Sequence, residues 1–303
     1  MRRIPACLFV CTLLEVLTSA QSNFYQQALE KYQSKQYVEA LPLAEEALRG
    51  DANNPTYVHL YGAVLAALDQ SYLAEQNLRK AVALAPDQAA FAYDLGVLLH
   101  QERKYAEAVP ILKRTVELDP ENLGARMMLA RCYVLSYHEL QIPNFVELTL
   151  EQLNYIVKKD PRFPGVHHHI ALVYINSGEP SKAIEELNTE LRYDPANAQA
   201  RLELGETLLK LNQFHKAAEE LLTAAKQAPH IPAIPFALAK AYKADGQPEK
   251  AIEAARWCTE LDPNFADGHY LLGQLYRDSK QTELAHQQFE LFRQLKNTSA
   301  PPH

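Results

Sequence analysis

Residues 89–122 read AAFAYDLGVLLHQERKYAEAVPILKRTVELDPEN. Leu95, Gly96 and Leu99 share one stretch of helical spacing, Ala108 and Leu112 share a second, and Pro120 follows where the second must stop. The same text recurs along the chain. Tyr61-Gly62 and Leu95-Gly96 are 34 residues apart, as are Pro86 and Pro120, Pro195 and Pro229, and Pro229 and Pro263. A fixed period of this length assigns the whole fold before any isolated motif is considered. The register divides the chain into eight units, 21–54, 55–88, 89–122, 123–163, 164–197, 198–231, 232–265 and 266–299, of which the fourth has 41 residues.

Every unit has a residue with at most one side-chain carbon at its eighth position: Ala28, Gly62, Gly96, Ala130, Ala171, Gly205, Ala239 and Gly273. The twentieth position is Ala40, Ala74, Ala108, Ala183, Ala217, Ala251 and Ala285, with Thr149 as the exception. Two helices crossing closely explain both columns, with Gly96 and Ala108 as the expected points of approach. Large aliphatic residues at the seventh and twenty-fourth positions, such as Leu95 with Leu112, supply buried volume. Proline at position 32 in six units ends the second helix, since proline cannot continue one. Each unit is thus helix, turn, helix, stop. The extra residues of unit four, around Ser136 to Asn144, are expected to lengthen the turn between its helices or to extend the first one.

The pattern resembles the tetratricopeptide repeat. Unit three carries Leu95, Gly96, Leu99, Tyr105, Ala108, Leu112 and Pro120 at family positions, and the resemblance covers residues 21–299. Departures are Gln27 and Ala52 in unit one and Glu190 in unit five. The resemblance implies an all-α fold, an α-solenoid whose eight repeats form a superhelix with a concave groove.

Composition narrows the activity. With 30 Lys and Arg against 37 Asp and Glu, the net charge of −7 disfavours a general nucleic-acid binder, which needs a basic surface. No phosphate-binding loop or nucleophile turn is legible, and the repeats leave no room for a catalytic domain, so neither an enzyme nor a cofactor is expected. His167-His168-His169 invites a metal reading, but consecutive helical residues point about 100° apart, and no metal site is expected.

Positions 2, 5, 9 and 12 of each first helix form one stripe, which lines the groove in the resembled family. Position 5 reads Tyr25, His59, Tyr93, Met127, His168, Leu202, Phe236 and Tyr270. Large side chains there serve either a peptide surface or the packing of adjacent first helices. Late units add Lys210, Lys240, Lys243 and Arg277, offset by Glu206 and Asp278, while Arg131 is an isolated cation among earlier, apolar stripe residues. Tyr93, His168, Phe236, Lys240, Lys243, Tyr270 and Arg277 are therefore the candidate groove residues, for a protein or peptide partner with acidic character. The asparagine that marks a carboxylate-clamp repeat at position 6 is absent, which argues against that specialised function. The leading expectation is a non-enzymatic interaction scaffold. The alternative is a structural subunit of an envelope secretion, pilus or polysaccharide-export assembly, held by its outer surface.

Residues 1–20, MRRIPACLFVCTLLEVLTSA, combine two arginines, an apolar run and small residues before Gln21, the layout of an export signal. The run is shorter than the roughly 20 apolar residues of a membrane span, so no integral span is expected. This implies a secreted or periplasmic protein with an array at 21–299 and a tail at 300–303. Cys132 and Cys258 would remain after cleavage, as packed thiols rather than a disulfide framework. The expected outcome is a native protein beginning at Gln21, read by intact mass. A chain starting at Met1 in the cytoplasmic fraction contradicts it.

Overall fold

The computed structural model describes residues 22–140 and 144–298, and all regular structure among them is helical. The proposed signal at 1–20 and the tail at 300–303 lie outside the described residues. Sixteen helices follow in order: α1 (22–33), α2 (Tyr37–Gly50), α3 (Pro55–Ala67), α4 (Ser71–Leu84), α5 (Ala89–Gln101), α6 (Tyr105–Leu118), α7 (Leu123–Leu140), α8 (Phe145–Lys159), α9 (Val166–Asn176), α10 (Pro180–Tyr193), α11 (Ala198–Lys210), α12 (Phe214–Gln227), α13 (Ala233–Ala244), α14 (Pro248–Leu261), α15 (Ala266–Asp278) and α16 (Thr282–Thr298). The chain divides into two compact units, one ending at Ile156 and the other beginning at Val157. In each, consecutive helices pair as hairpins and the hairpins stack, the construction of an α-solenoid.

The hairpin turn obeys one backbone rule. Lys35, Asp69, Arg103, Asn144, Gly178, Asn212, Gly246 and Lys280 all adopt positive φ, and all occupy position 15, allowing for the insertion before Asn144. A left-handed residue there reverses the chain within three residues. Only two of the eight are glycine, so six turns bear the modest cost of a side chain in this region.

The stop is equally regular. Seven second helices, α2 through α14, end at position 30 of their units. Where position 31 is Asp, its carboxylate accepts a hydrogen bond from the amide two residues on: Asp51 from Asn53, Asp119 from Glu121, Asp160 from Arg162, Asp194 from Ala196, Asp262 from Asn264, at 2.9–3.2 Å. This Asx turn supplements the proline at position 32 and explains why α2 stops on schedule although Ala52 replaces proline. At the last position, Asn54, Asn122 and Asn197 cap the following helix through their side-chain oxygens. Unit eight, with Asn297 at position 32, has no such stop, and α16 runs 17 residues.

The insertion enters mostly the first helix of its unit. Helix α7 has 18 residues, against 13 for α5, and α8 begins at Phe145.

One expectation needs correction. The eighth and twentieth columns are both buried, but the side chain that covers Gly96 is not Ala108. A Cβ on Gly96 would lie 2.6 Å from Cδ2 of Leu112, and the three nearest atoms all belong to Leu112, at position 24. Gly205 meets Leu221 in the same way, Gly62 meets Leu78, and Gly273 meets the ring of Phe289. A large side chain from the second helix thus fills the space the missing Cβ leaves, as close packing requires. Position 24 carries Ala44 and Ala255 opposite Ala28 and Ala239, so small faces small in those units.

Gly96→Leu should therefore overpack the contact with fully buried Leu112 and cost roughly 1–3 kcal/mol or more. Gly96→Ala should cost less, because Ala171 is accommodated in the unit that places Leu187 at position 24. Exposed Lys113→Leu is the control and should stay within about 0.5 kcal/mol of wild type. Denaturant midpoints of the three variants decide it.

Candidate functional site

The late part of the first-helix stripe comes together in the second compact unit. Helix α13 presents Phe236, Lys240 and Lys243 at intervals of four and three, and α15 presents Asp267, Tyr270 and Gln274 at the same intervals in reverse order. With Ala244 and Leu271 they line a cavity of about 770 Å³. Its aromatic residues are braced from behind. Phe236 meets Phe265 edge-on at 5.1 Å between ring centres, and Tyr270, 44% exposed, leans on Phe292 at 5.0 Å and Phe289 at 5.9 Å.

Asp278, which the sequence sets against these cations, takes up two of them. Lys243 donates to Gln274 at 3.1 Å and lies 3.6 Å from Asp278. Arg277 also turns to Asp278, at 3.5 Å, and is not part of the cavity wall. Asp267 is matched by Lys296 at 3.5 Å. Lys240 has no carboxylate partner among the described residues and lies 5.4 Å over the Phe236 ring. The wall is thus an apolar surface with one unpaired ammonium, rather than a row of three cations. Exposed pairs like these contribute about 0–1 kcal/mol, so contact area dominates its energetics.

The other two candidate residues are used within the stack. His168 pairs with Glu203 at 2.7 Å, with side chains only 15% and 12% exposed, and its backbone amide donates to Glu190. His59 and Asp94 make the same 35-residue contact, also at 2.7 Å. Tyr93 lies in the first unit, half-buried, with its hydroxyl over Gly124, and burial, then Asp94, raises its pKa. Position 5 therefore joins adjacent first helices in the early and middle repeats and faces outward at Tyr270.

The remaining histidines of the triplet have their own partners. His169 contacts the Gly165 carbonyl at 2.8 Å. His167 bridges Glu186, at 2.6 Å, and the carbonyl of Pro161, at 3.1 Å. That bridge is a repeated device at position 4. His269 joins Gln288 and Pro263, Arg126 joins Gln152 and Pro120, and Arg201 joins Glu220 and Pro195. A polar residue at position 4 ties the preceding unit's proline carbonyl to position 23 of its own second helix. The co-occurrence of polar residues at positions 4 and 23 is the sequence signal for this clamp. Among the described residues no three His, Cys, Asp or Glu side chains converge as a metal site. The thiols of Cys132 and Cys258 are buried and unpaired, and burial pushes both pKa values up to about 12.

A second cavity, about 540 Å³, lies on the second-helix side between α12 and α14, around Leu222, Tyr242 and Trp257. Trp257 stands at position 26, where the other units have Glu46, Lys80, Arg114, Tyr155, Thr189, Thr223 and Leu291.

Two family models described as tetratricopeptide repeat match this chain, one over residues 170–230 and 236–300, the other over 99–136. The chain carries tetratricopeptide repeats. Tetratricopeptide repeat protein 21B of Mus musculus is 25% identical over 242 residues, covering 71% of this chain and 18% of its own length. The TPR repeat-containing protein YpiA of Bacillus subtilis (strain 168) is 22% identical over 300 residues, covering 89% of this chain and 70% of its own. Among solved structures, the APC/C hetero-tetramer Cut9-Hcn1 aligns with a TM-score of 0.60 at 17% identity, over 86% of this chain and 50% of that one. YrrB, described as a TPR protein with an unusual peptide-binding site, aligns with a TM-score of 0.52 at 21% identity, over 62% and 96%. At these identities the tetratricopeptide likeness is one of fold. Among the described residues, no helix is long and apolar enough to cross a membrane.

The clamp predicts a stability effect. His269→Ala leaves Gln288 and the Pro263 carbonyl without their partner and should cost about 1–3 kcal/mol. His215→Ala, at a residue with 74% side-chain exposure, should change little. Urea unfolding of the two variants gives the comparison.

Proposed function

We propose that this protein is a non-enzymatic interaction scaffold that holds a peptide or protein segment on its first-helix stripe, with the α13–α15 cavity as an anchoring point. One observation carries this reading: four of the seven candidates taken from the stripe that lines the groove in the resembled family, Phe236, Lys240, Lys243 and Tyr270, line one cavity of about 770 Å³. Braced aromatic rings offer contact area at little entropic cost, and they suit an apolar or aromatic side chain of the partner. The unpaired Lys240 favours an acidic neighbour on that partner and would mainly set orientation and association rate. The signal-like residues 1–20 support a secreted or periplasmic setting for this binding.

A second reading, attachment through the second-helix face as part of a larger assembly, is favoured by the Trp257 cavity. The two are separable. A photo-crosslinking residue at Tyr270 should capture a partner from the native compartment, one at Trp257 should not, and one at exposed Lys216 is the background. Adducts at 257 but not 270 would move the interaction to the outer face. For a captured partner, Tyr270→Ala should weaken binding about tenfold or more, as anchor truncation does, and Arg277→Ala should leave it nearly unchanged.

A further inference from the structure

The cation that the sequence leaves isolated, Arg131, has a counterpart. Among the described residues, Arg103 and Arg131 are the arginines with no carboxylate, amide, hydroxyl or ring partner. Arg49, Arg79, Arg114, Arg201, Arg256, Arg277 and Arg293 are ion-paired, Arg126 and Arg192 donate to side-chain oxygens, and Arg162 lies over Tyr193. Both unpaired arginines line the same cavity.

That cavity, about 370 Å³, lies wholly within the first compact unit, among α5, the turn to α6, and α7. Val97, His100 and Gln101 come from α5, Arg103 from the left-handed turn position, Tyr105 from the start of α6, and Met128 and Arg131 from α7. No carboxylate lines it, whereas four other cavities of this chain each include one. His100 adds a third observation. Its Nε2 is buried and has no hydrogen-bond partner. Among the described residues the other buried polar atom left without a hydrogen bond, Oε2 of Glu102, has Lys104 at 2.7 Å as its ion-pair partner. An unsatisfied imidazole nitrogen is costly unless a ligand completes it. Burial, then the nearby Arg131 charge, lowers the His100 pKa, so the ring is neutral at neutral pH and offers a single N–H donor in the right tautomer.

We propose that this cavity binds a phosphate monoester, held by Arg103, Arg131 and His100, with the organic group against Val97, Met128 and Tyr105. The assignment follows from charge and shape. Two unpaired guanidinium groups match the charge of about −1.5 to −2 on a phosphate monoester, whereas a single carboxylate would leave one cation uncompensated. Guanidinium forks suit phosphate oxygens, and donors arriving from three segments suit a tetrahedral acceptor better than a planar one. Tyr105, edge-on to His100 at 5.7 Å between ring centres, closes one side. A small molecule and a phosphorylated side chain of a partner present the same ester, and the chemistry of recognition is shared.

The test titrates the full chain with phenyl phosphate by calorimetry, beside inorganic phosphate, benzoate and a short phosphotyrosine peptide. Phenyl phosphate should bind saturably and more tightly than benzoate or inorganic phosphate. Arg131→Ala and Arg103→Asn should each weaken it about tenfold or more, the loss expected for one charge-assisted contact. Arg103→Asn separates binding from folding. Asn144 and Asn212 already occupy the equivalent left-handed position, so this variant should keep or raise the melting temperature while losing affinity. Lys216→Glu, at an exposed residue of the other unit that lines neither cavity, should leave phenyl phosphate binding intact, and loss of binding in the arginine variants places it in the first unit whatever becomes of the α13–α15 reading. Tighter binding of the peptide than of phenyl phosphate assigns the source to a protein, and weaker binding to a small molecule. Absence of saturable binding, benzoate binding as tightly as phenyl phosphate, or unchanged affinity in both arginine variants overturns the proposal.

Discussion

The fold depends on the approach of two helices at position 8, where a side chain of at most one carbon lets position 24 of the partner helix pack close to the backbone. In units two, three and six the descending group is Leu78, Leu112 or Leu221, and in unit eight it is Phe289. A hairpin closed this tightly has a fixed crossing geometry, because a packed interior tolerates neither a void nor an extra methylene. Fixing each hairpin fixes the faces it offers to its neighbours. A stripe of every third or fourth residue on the first helices then becomes one continuous surface within each compact unit.

Regular backbone devices transmit that geometry from one unit to the next. A left-handed residue at position 15 reverses the chain inside the hairpin, and an Asp–Pro junction with an Asx turn ends it. The polar clamp at position 4 then anchors four of the eight first helices to the proline carbonyl just before them. These contacts use up histidines, arginines and carboxylates that a list of charged residues would otherwise offer to ligands. His167, His269, Arg126 and Arg201 are structural for this reason.

Several cations have no acid partner among the described residues, and a few of these border a cavity. Lys240 in the second unit and Arg103 with Arg131 in the first lack acid partners, and each borders a cavity with aromatic or aliphatic walls. Desolvated walls beside an unpaired cation favour ligands that combine an anionic group with an apolar body, since neither part alone would satisfy the site. The two cavities differ in kind. The one at Phe236 and Tyr270 is largely apolar surface, and the one at His100 concentrates hydrogen-bond donors.

The sequence by itself determined the hairpin, its period, its small-residue columns and its stops, because these depend on residue type at fixed spacing along one helix. It also determined that Phe236, Lys240, Lys243 and Tyr270 share a stripe. What spacing fixes is the direction a side chain leaves its own helix, not which neighbour it meets. Only the tertiary structure decided that Gly96 meets Leu112 rather than Ala108, since that depends on the relative shift of two helices. Only it decided that His168 is taken by Glu203, that Arg277 and Lys243 share Asp278, and that Arg103 and Arg131 line one cavity with His100. Each of those outcomes is a competition among long side chains from different repeats, settled by distances between elements that no single helix encodes.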